Sequence, residues 1–417
     1  MASAGKRPGV LIIVQNLPVP FDARVWQEST TLTAAGYDVS VICPKGKGYT
    51  AAHEVLDGVN IYRHDMPFEA NSAVGFLVEY AVALFHETRL AWRVLFRHGF
   101  TVVHACNPPD LIFLVALPFK LLGKKFVFDQ HDIVPELFEA KFARRGFFYW
   151  LLRMFERMTF ACANISIATN GSYREIAVGR GGMKPDRVFV VRSGPKLERL
   201  RLMPPDAALR RGRRYLVGYL GVIGTSEGLD GLLQGIDHIV NKRGRKDVQF
   251  VIVGGGPELE NIQRMAGEMG LADDIIFTGR VSDEELLRWL NTADVCVNAD
   301  AVNTMNDLST MNKIVEYMAL GKPIVQFDLR EGRVSAGESS LYAKANDWED
   351  FGDKVIALLD DPAKREAMGA FGRRRVETEL AWQYEAPKLL AAYARVAPVA
   401  GTARTPEQPG PIKSEVS

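Results

Sequence analysis

The densest run of chemically capable side chains lies between Asn306 and Val325. A polar loop, Asn306-Asp307-Leu308-Ser309-Thr310, leads into a short helical pattern from about Thr310 that ends at Gly321, and a buried strand begins at Pro323. Lys313 and Glu316 are three apart, so they share a helix face. They can form a plain surface ion pair. They can also divide a task, with Lys313 neutralising phosphate and Glu316 accepting hydrogen bonds from a ribose diol. A second candidate is the loop after the apolar run Lys125–Phe128, which carries Asp129, His131, Asp132 and Glu136. An imidazole there can donate or accept near neutral pH. A third is Gly221-Val222-Ile223-Gly224-Thr225-Ser226-Glu227-Gly228, between a strand pattern and a helix from about Leu229. Backbone N–H groups at such a helix start can cradle a diphosphate. Gly254-Gly255-Gly256-Pro257 reads instead as a tight strand-to-helix turn.

These segments need a scaffold that brings loops from distant parts of the chain together. Strand-like runs fall at 10–14, 39–42, 60–63, 101–104, 125–128, 165–168 and 187–191, then at 215–220, 248–253, 275–277, 295–297, 323–326 and 341–342, with helical stretches such as Arg24–Ala35 and Gly146–Cys162 between them. That alternation predicts two doubly wound, Rossmann-like α/β domains with parallel sheets, facing each other across a cleft. Ser193–Arg214 reads as a linker. The expected division is 1–198 as the first domain, 199–381 as the second, 382–400 as a helix crossing back to the first domain, and 401–417 as a disordered Pro- and Glu-bearing tail. Ligands of open α/β sheets bind beyond the carboxyl ends of the strands. Asn16, Asp22 and Arg24, after the first strand, therefore become candidates facing the cleft with Asp132, although Arg24 can equally pair with Asp22 or Glu28.

Composition bounds the rest. The 417 residues are 47% hydrophobic and 24% charged, with a net charge of +1, which suits globular domains and argues against a nucleic-acid partner. Four scattered cysteines without a CxxC pair read as buried, reduced thiols and not as a zinc site. Met1–Gly9 does not read as a secretory signal, and no apolar run reaches the roughly 20 residues that span a bilayer. The expected location is the cytoplasm, with the inner face of the membrane as a docking place. Arg144, Arg145 and Trp150 flank or enter a dense aromatic stretch that can lie in a bilayer interface or pack as a core helix.

The segment Glu316–Val325 (EYMALGKPIV) resembles the helix-to-strand signature of glycosyltransferase family 4, retaining nucleotide-sugar enzymes of the GT-B fold. Phe21–Cys43, His104–Asp110 (HACNPPD), Phe128–Glu136 (FDQHDIVPE) and Phe189–Leu200 are similar to first-domain blocks of bacterial O-antigen, capsule and exopolysaccharide transferases. The resemblance spans about Val10 to Val396. It implies a GT-B architecture and transfer from a UDP- or GDP-sugar co-substrate, with no metal or other cofactor, to a polyprenyl-diphosphate-linked or other saccharide acceptor at the inner membrane. His131 would be the catalytic histidine. Gly221, Gly224, Arg280, Asp307, Ser309, Thr310, Lys313 and Glu316 would hold the donor in 199–381, the nucleotide-sugar domain, and Asn16, Asp22, Arg24 and Asp132 would face the acceptor in 1–198. Two departures stand out. The family's other glutamate, eight positions before Glu316, is Leu308, with Asp307 beside it. The family's Gly-Arg and Lys-Gly around the phosphate loop read Gly221-Val222 and Glu227-Gly228, leaving Lys313 and Arg280 as replacement cations. The alternatives are a nucleotide-sugar epimerase or a non-catalytic partner subunit. A dinucleotide oxidoreductase is disfavoured because Val10–Val14 runs into Gln15-Asn16-Leu17-Pro18 without GxGxxG.

Overall fold

A computed structural model describes residues 7–66, 73–142 and 145–399, with the backbone alone for 73–77. Arg144 and the tail 401–417 lie outside the described residues. The first sheet contains β1 (Gly9–Ile13), β2 (Asp38–Pro44), β3 (His53–Leu56), β4 (Val59–His64), β5 (Val102–Cys106), β6 (Lys125–Gln130), β7 (Ile165–Ala168) and β8 (Val188–Val190), in the order β3-β4-β2-β1-β5-β6-β7-β8. The second contains β9 (Tyr215–Leu220), β10 (Val248–Val253), β11 (Ile275–Gly279), β12 (Val295–Asn298), β13 (Ile324–Phe327) and β14 (Ser340–Ala343), in the order β11-β10-β9-β12-β13-β14. Pairings are parallel except β3 with β4. Both sheets are doubly wound, with the strand order reversing at β1/β5 and at β9/β12.

Burial on both faces explains why these strands are continuous apolar runs. Leu11 and Ile13 enter one core, shared with Phe119, Phe128 and Phe160. Val10 and Ile12 enter another, shared with Val25, Leu32 and the C-terminal residues Leu389 and Tyr393. The helices Ala73–Arg97, Phe113–Leu121 and Phe147–Cys162 cover the first of these faces, and Ala23–Ala34 and Trp382–Ala394 cover the other. The chain therefore crosses back after the second sheet. Trp382 Nε1 donates to Thr31 Oγ1 at 2.9 Å, and Tyr37 Oη donates to the Ala397 carbonyl at 2.9 Å.

One core residue carries a pH-dependent cost. Glu87, on the helix Ala73–Arg97, is fully buried, and neither carboxyl oxygen has a hydrogen-bond partner among the described residues. Burial pushes its pKa from the ordinary 4.5 to about 8. Between those values the folded state holds a proton that the unfolded state has lost, so stability falls as pH rises, by up to ~1.4 kcal/mol per unit. Between pH 5.5 and 7.5 the wild type should lose about 2–3 kcal/mol relative to Glu87→Gln in urea unfolding. Parallel pH curves for the two proteins would refute this.

Candidate active site

Loops from the two sheets meet at their carboxyl edges. After β7, Asn170 Nδ2 donates to the Leu308 carbonyl at 2.9 Å and to Thr310 Oγ1 at 3.1 Å, and Tyr173 Oη lies 3.0 Å from Ser309 Oγ. After β1, the Phe21 ring lies under the Arg280 guanidinium, which follows β11, 5.2 Å from the ring centroid. The two switch points thus lie between contacts that join the domains.

On the second-domain side, β9 runs into the loop Gly221–Gly228, and the helix Leu229–Asp237 follows. Gly228, at φ +68°, turns the chain into the helix, and a Cβ there would meet the Ala299 carbonyl oxygen at 2.1 Å. At Gly224 the nearest atoms to an added Cβ are 3.9 Å away, so the loop is open there. A Cβ at Gly254 would sit 1.8 Å from the Gly221 carbonyl oxygen, so the glycine triplet after β10 serves close packing beneath this loop. Lys313 opens the helix Asn312–Ala319, two residues later than the sequence predicts and separated from a five-residue helix, Thr304–Leu308. Its ammonium is nearly buried and reaches Glu227 Oε2 at 3.3 Å, Asp300 Oδ2 at 3.4 Å and Tyr219 Oη at 3.4 Å. Burial works against its charge, but Asp300, Tyr219 and Glu227 outweigh that and hold it protonated. Burial raises Asp300, with Lys313 opposing.

Glu316 does not pair with Lys313. Its Oε1 lies 3.5 Å from an Arg199 guanidinium nitrogen, and Arg199 also grips Asp283 at 2.7 Å. Burial raises the Glu316 pKa, with Arg199 opposing. Asp307 accepts from the Arg330 backbone N–H at 2.8 Å. Asp307, Ser309 and Thr310 thus hold the interdomain contact and the adjacent backbone, and Arg280 stands on the Phe21 ring.

On the first-domain side, Asp129, at the end of β6, is fully buried. Arg24 grips both its oxygens, Nη2 to Oδ1 at 2.8 Å and Nε to Oδ2 at 3.2 Å. His131 Nε2 lies 2.6 Å from Asp129 Oδ2. Burial alone would lower the His131 pKa, yet Asp129 outweighs it and holds the imidazole charged. That shift favours the charged, donating form over the donor-or-acceptor role open to a loop histidine. Arg24 Nε also lies 3.1 Å from His131 Nε2, but with that nitrogen protonated its N–H belongs to Asp129. Behind them, His104 Nε2 is 3.5 Å from Asp129 and 3.6 Å from Glu28, and its Nδ1 is 2.7 Å from Tyr393 Oη. Burial, joined by Asp129, pushes Glu28 up to about 7.

Arg24 is thus not a surface side chain: it pairs with buried Glu28 at 3.1 Å and with Asp129, not with Asp22. Asp22 caps the helix Ala23–Ala34 by accepting from the Val25 N–H at 3.0 Å. Asn16 is exposed, and Asp132 is half-buried with its backbone N–H on Asn107 Oδ1. His104 is fully buried. Ligand-type atoms of His104, Cys106 and Asp129 lie within 4.8 Å of one another. A dication there would face the Arg24 guanidinium across the same carboxylate, so the set fits an internal ion network better than a metal centre. Arg145 pairs with Glu139 at 2.7 Å, and Trp150 is well exposed.

Sequence reasoning passed over Asp300, Tyr219 and Arg199. Asp300 and Tyr219 could have been flagged, because they end or follow the two switch-point strands. Arg199, in the linker, left no signal.

Residues 23–199 match the family model described as Glycosyltransferase Family 4, and residues 214–361 the one described as Glycosyl transferases group 1. A GDP-mannose-dependent alpha-(1-6)-phosphatidylinositol monomannoside mannosyltransferase of Mycolicibacterium smegmatis is 30% identical over 199 residues, 44% of this chain and 50% of that protein. The chain thus spans about half the length of this curated relative. Sucrose-phosphate synthase from Thermosynechococcus elongatus superposes with a TM-score of 0.76 at 17% identity, covering 93% of this chain and 99% of that one. An Anabaena protein, HepE, solved with UDP and glucose, gives 0.70 at 13% identity, covering 93% and 100%. At these identities the likeness establishes the fold, a GT-B pair of Rossmann-like domains.

Proposed function

From a chain whose two halves belong to the glycosyltransferase family 4 and glycosyl transferases group 1 models, we infer a retaining glycosyltransferase. It moves a sugar from a UDP- or GDP-sugar to a saccharide acceptor, lipid-linked in bacterial surface polysaccharide synthesis, at the inner face of the cytoplasmic membrane. The observation that carries this reading is the buried Lys313 ammonium at the Gly221–Gly228 loop, at the β9/β12 switch point. As the bond from the anomeric carbon to the β-phosphate oxygen breaks, charge develops on the departing diphosphate. Loop N–H groups, the start of the helix Leu229–Asp237 and Lys313 stabilise that charge more than the ground state. The acceptor hydroxyl oxygen forms the new glycosidic bond, and its proton leaves to the departing β-phosphate oxygen. His131, charged by Asp129, donates toward the sugar from the opposite wall. No resident cofactor enters this scheme. The mannosyltransferase relative, named for a phosphatidylinositol mannoside, supports a lipid-linked acceptor, and the UDP-bound neighbour supports a nucleotide-sugar donor.

A thermal-shift screen against UDP, GDP, ADP and NAD tests the reading. One nucleoside diphosphate should raise the melting temperature, because a ligand of the folded state alone stabilises it. Glu316→Ala should weaken that ligand by roughly tenfold through loss of charge-assisted ribose hydrogen bonds. Stabilisation by NAD alone, or by none of the four, would refute the donor assignment.

A further inference from the structure

Among the described residues, one side of the first domain exposes far more large apolar surface than any other. The helix Phe113–Leu121 turns Leu114, Leu117 and Leu121 outward, at i, i+3 and i+7, with Leu121 81% exposed. On one side of it, Ala73–Arg97 exposes Phe85 and Phe96, the latter at 80%. On the other, Phe147–Cys162 exposes Trp150, Met154 and Met158, again at i, i+4 and i+8. The three helices lie side by side on one face of the sheet, in the order of β1, β5 and β6 beneath them. Their inward residues fill the core with Phe119, Phe128 and Phe160, so the outward stripes are surplus to folding. A water-exposed patch of this breadth marks an interaction surface.

Charge identifies the occupant. Arg89, Arg93 and Arg97 on the first helix, Lys124 and Lys125 after the second, and Arg157 on the third stand among these stripes, and none of the salt bridges seen among the described residues involves them. Of the three acidic residues these helices carry, Glu79, Glu87 and Glu156, the last two are buried. The Arg153 guanidinium stands over the Tyr149 and Trp150 rings, 6.0 and 5.8 Å from their centroids, an amphipathic pairing suited to a water–lipid boundary. A protein partner of equal breadth would need acidic residues set to match every one of these cations. A bilayer needs only anionic headgroups, which attract each of them while the aromatic and leucine side chains enter the acyl boundary. No helix among the described residues is long and apolar enough to cross a membrane.

We propose that the outer face of the helices 73–97, 113–121 and 147–162 docks this protein flat on an anionic lipid surface. The helix Val134–Phe142, which follows the His131 loop, packs against Phe147–Cys162, and this would set the cleft beside the membrane plane. A lipid-linked acceptor would then present its sugar from the side. This last step rests on the transfer reading above; the docking surface does not.

The test is co-sedimentation of the full chain with phosphatidylglycerol–phosphatidylcholine vesicles and with phosphatidylcholine vesicles, at low and high salt. Binding to the anionic vesicles is expected, at least tenfold weaker on phosphatidylcholine and in high salt. Leu117→Glu/Leu121→Glu should lose it by tenfold or more while keeping the wild-type melting temperature and any nucleoside-diphosphate shift. Arg93→Ser/Arg97→Ser/Lys125→Ser, which leaves the apolar stripes untouched, should lose it comparably. Failure of the wild type to pellet, or equal pelleting on both vesicle types, would overturn the proposal. A wild-type dimer made monomeric by Leu117→Glu/Leu121→Glu, without vesicle binding, would assign the face to a second copy and overturn it as well. A missing nucleotide shift in otherwise normal vesicle binding would count against the transfer reading alone.

Discussion

Asp129→Ala should destabilise the first domain by about 3–5 kcal/mol, the size expected when one partner of a buried ion cluster is removed. The carboxylate is fully buried and is gripped by Arg24 at 2.8 Å and His131 at 2.6 Å, with His104 at 3.5 Å. Its removal strands a guanidinium with 7% side-chain exposure, leaving only Glu28 to compensate. Glu28, pushed up to about 7 by burial and by Asp129, ionises more readily once Asp129 is gone and offsets part of that cost. Asp129→Asn should lose most of the same stability, because the shape survives but the charge does not. Replacing both partners, as in Arg24→Met/Asp129→Leu, should recover much of the loss, since apolar substitution of a whole buried pair is often close to neutral. Urea unfolding followed by hydrogen exchange at β5 and β6 reads the first domain separately, as a two-domain chain need not unfold in one step. A loss below ~1 kcal/mol for Asp129→Ala would mean that water reaches the cluster and shares its charge.

The same cluster shows where the sequence stops being legible. The parallel strands are readable because each is an apolar run between helical patterns, and burial on both faces leaves no other composition for them. β3 escapes notice for the opposite reason. It is a four-residue antiparallel edge strand, alternately exposed and half-buried, and nothing in His53-Glu54-Val55-Leu56 sets it apart from a loop. At the site, loops following strands are readable, and with them His131, Lys313 and the Gly221–Gly228 turn. Partners are not. Arg24 and Asp129 are 105 positions apart, and His104 meets Tyr393 across 289. Only the closing of the sheet and the return of the C-terminal helix bring them together. Spacing also suggests a Lys313–Glu316 pair on one helix face. The fold gives Lys313 to half-buried Glu227 and buried Asp300, and Glu316 to Arg199, because a buried ammonium takes the closest carboxylates.

That exchange of partners leads to an expected gain of function. Glu227→Lys should tighten nucleoside-diphosphate binding by roughly ten- to a hundredfold. Glu227 Oε2 lies 3.3 Å from the Lys313 ammonium, occupying one side of the charge that a donor phosphate would use. With Asp300 on the other side at 3.4 Å, the three groups sum to one negative charge when all are ionised, so Glu227 competes with a diphosphate for the ammonium. Resemblance to the family places a lysine in the position of Glu227. Restoring it changes the local charge by two units, each worth a few kcal/mol at contact distance near a protein surface before solvent screening reduces it. Asp300 remains to hold Lys313, so the buried ammonium is not stranded. Glu227→Gln, which changes the charge by one unit, should give a smaller gain of the same sign. Both gains should shrink as salt is raised. Calorimetric titration with UDP and GDP at two ionic strengths measures all of this. Should Glu227→Lys leave affinity unchanged or weaken it, the diphosphate does not sit at the Gly221–Gly228 loop, and the switch point at β9/β12 would have to bind some other part of the donor.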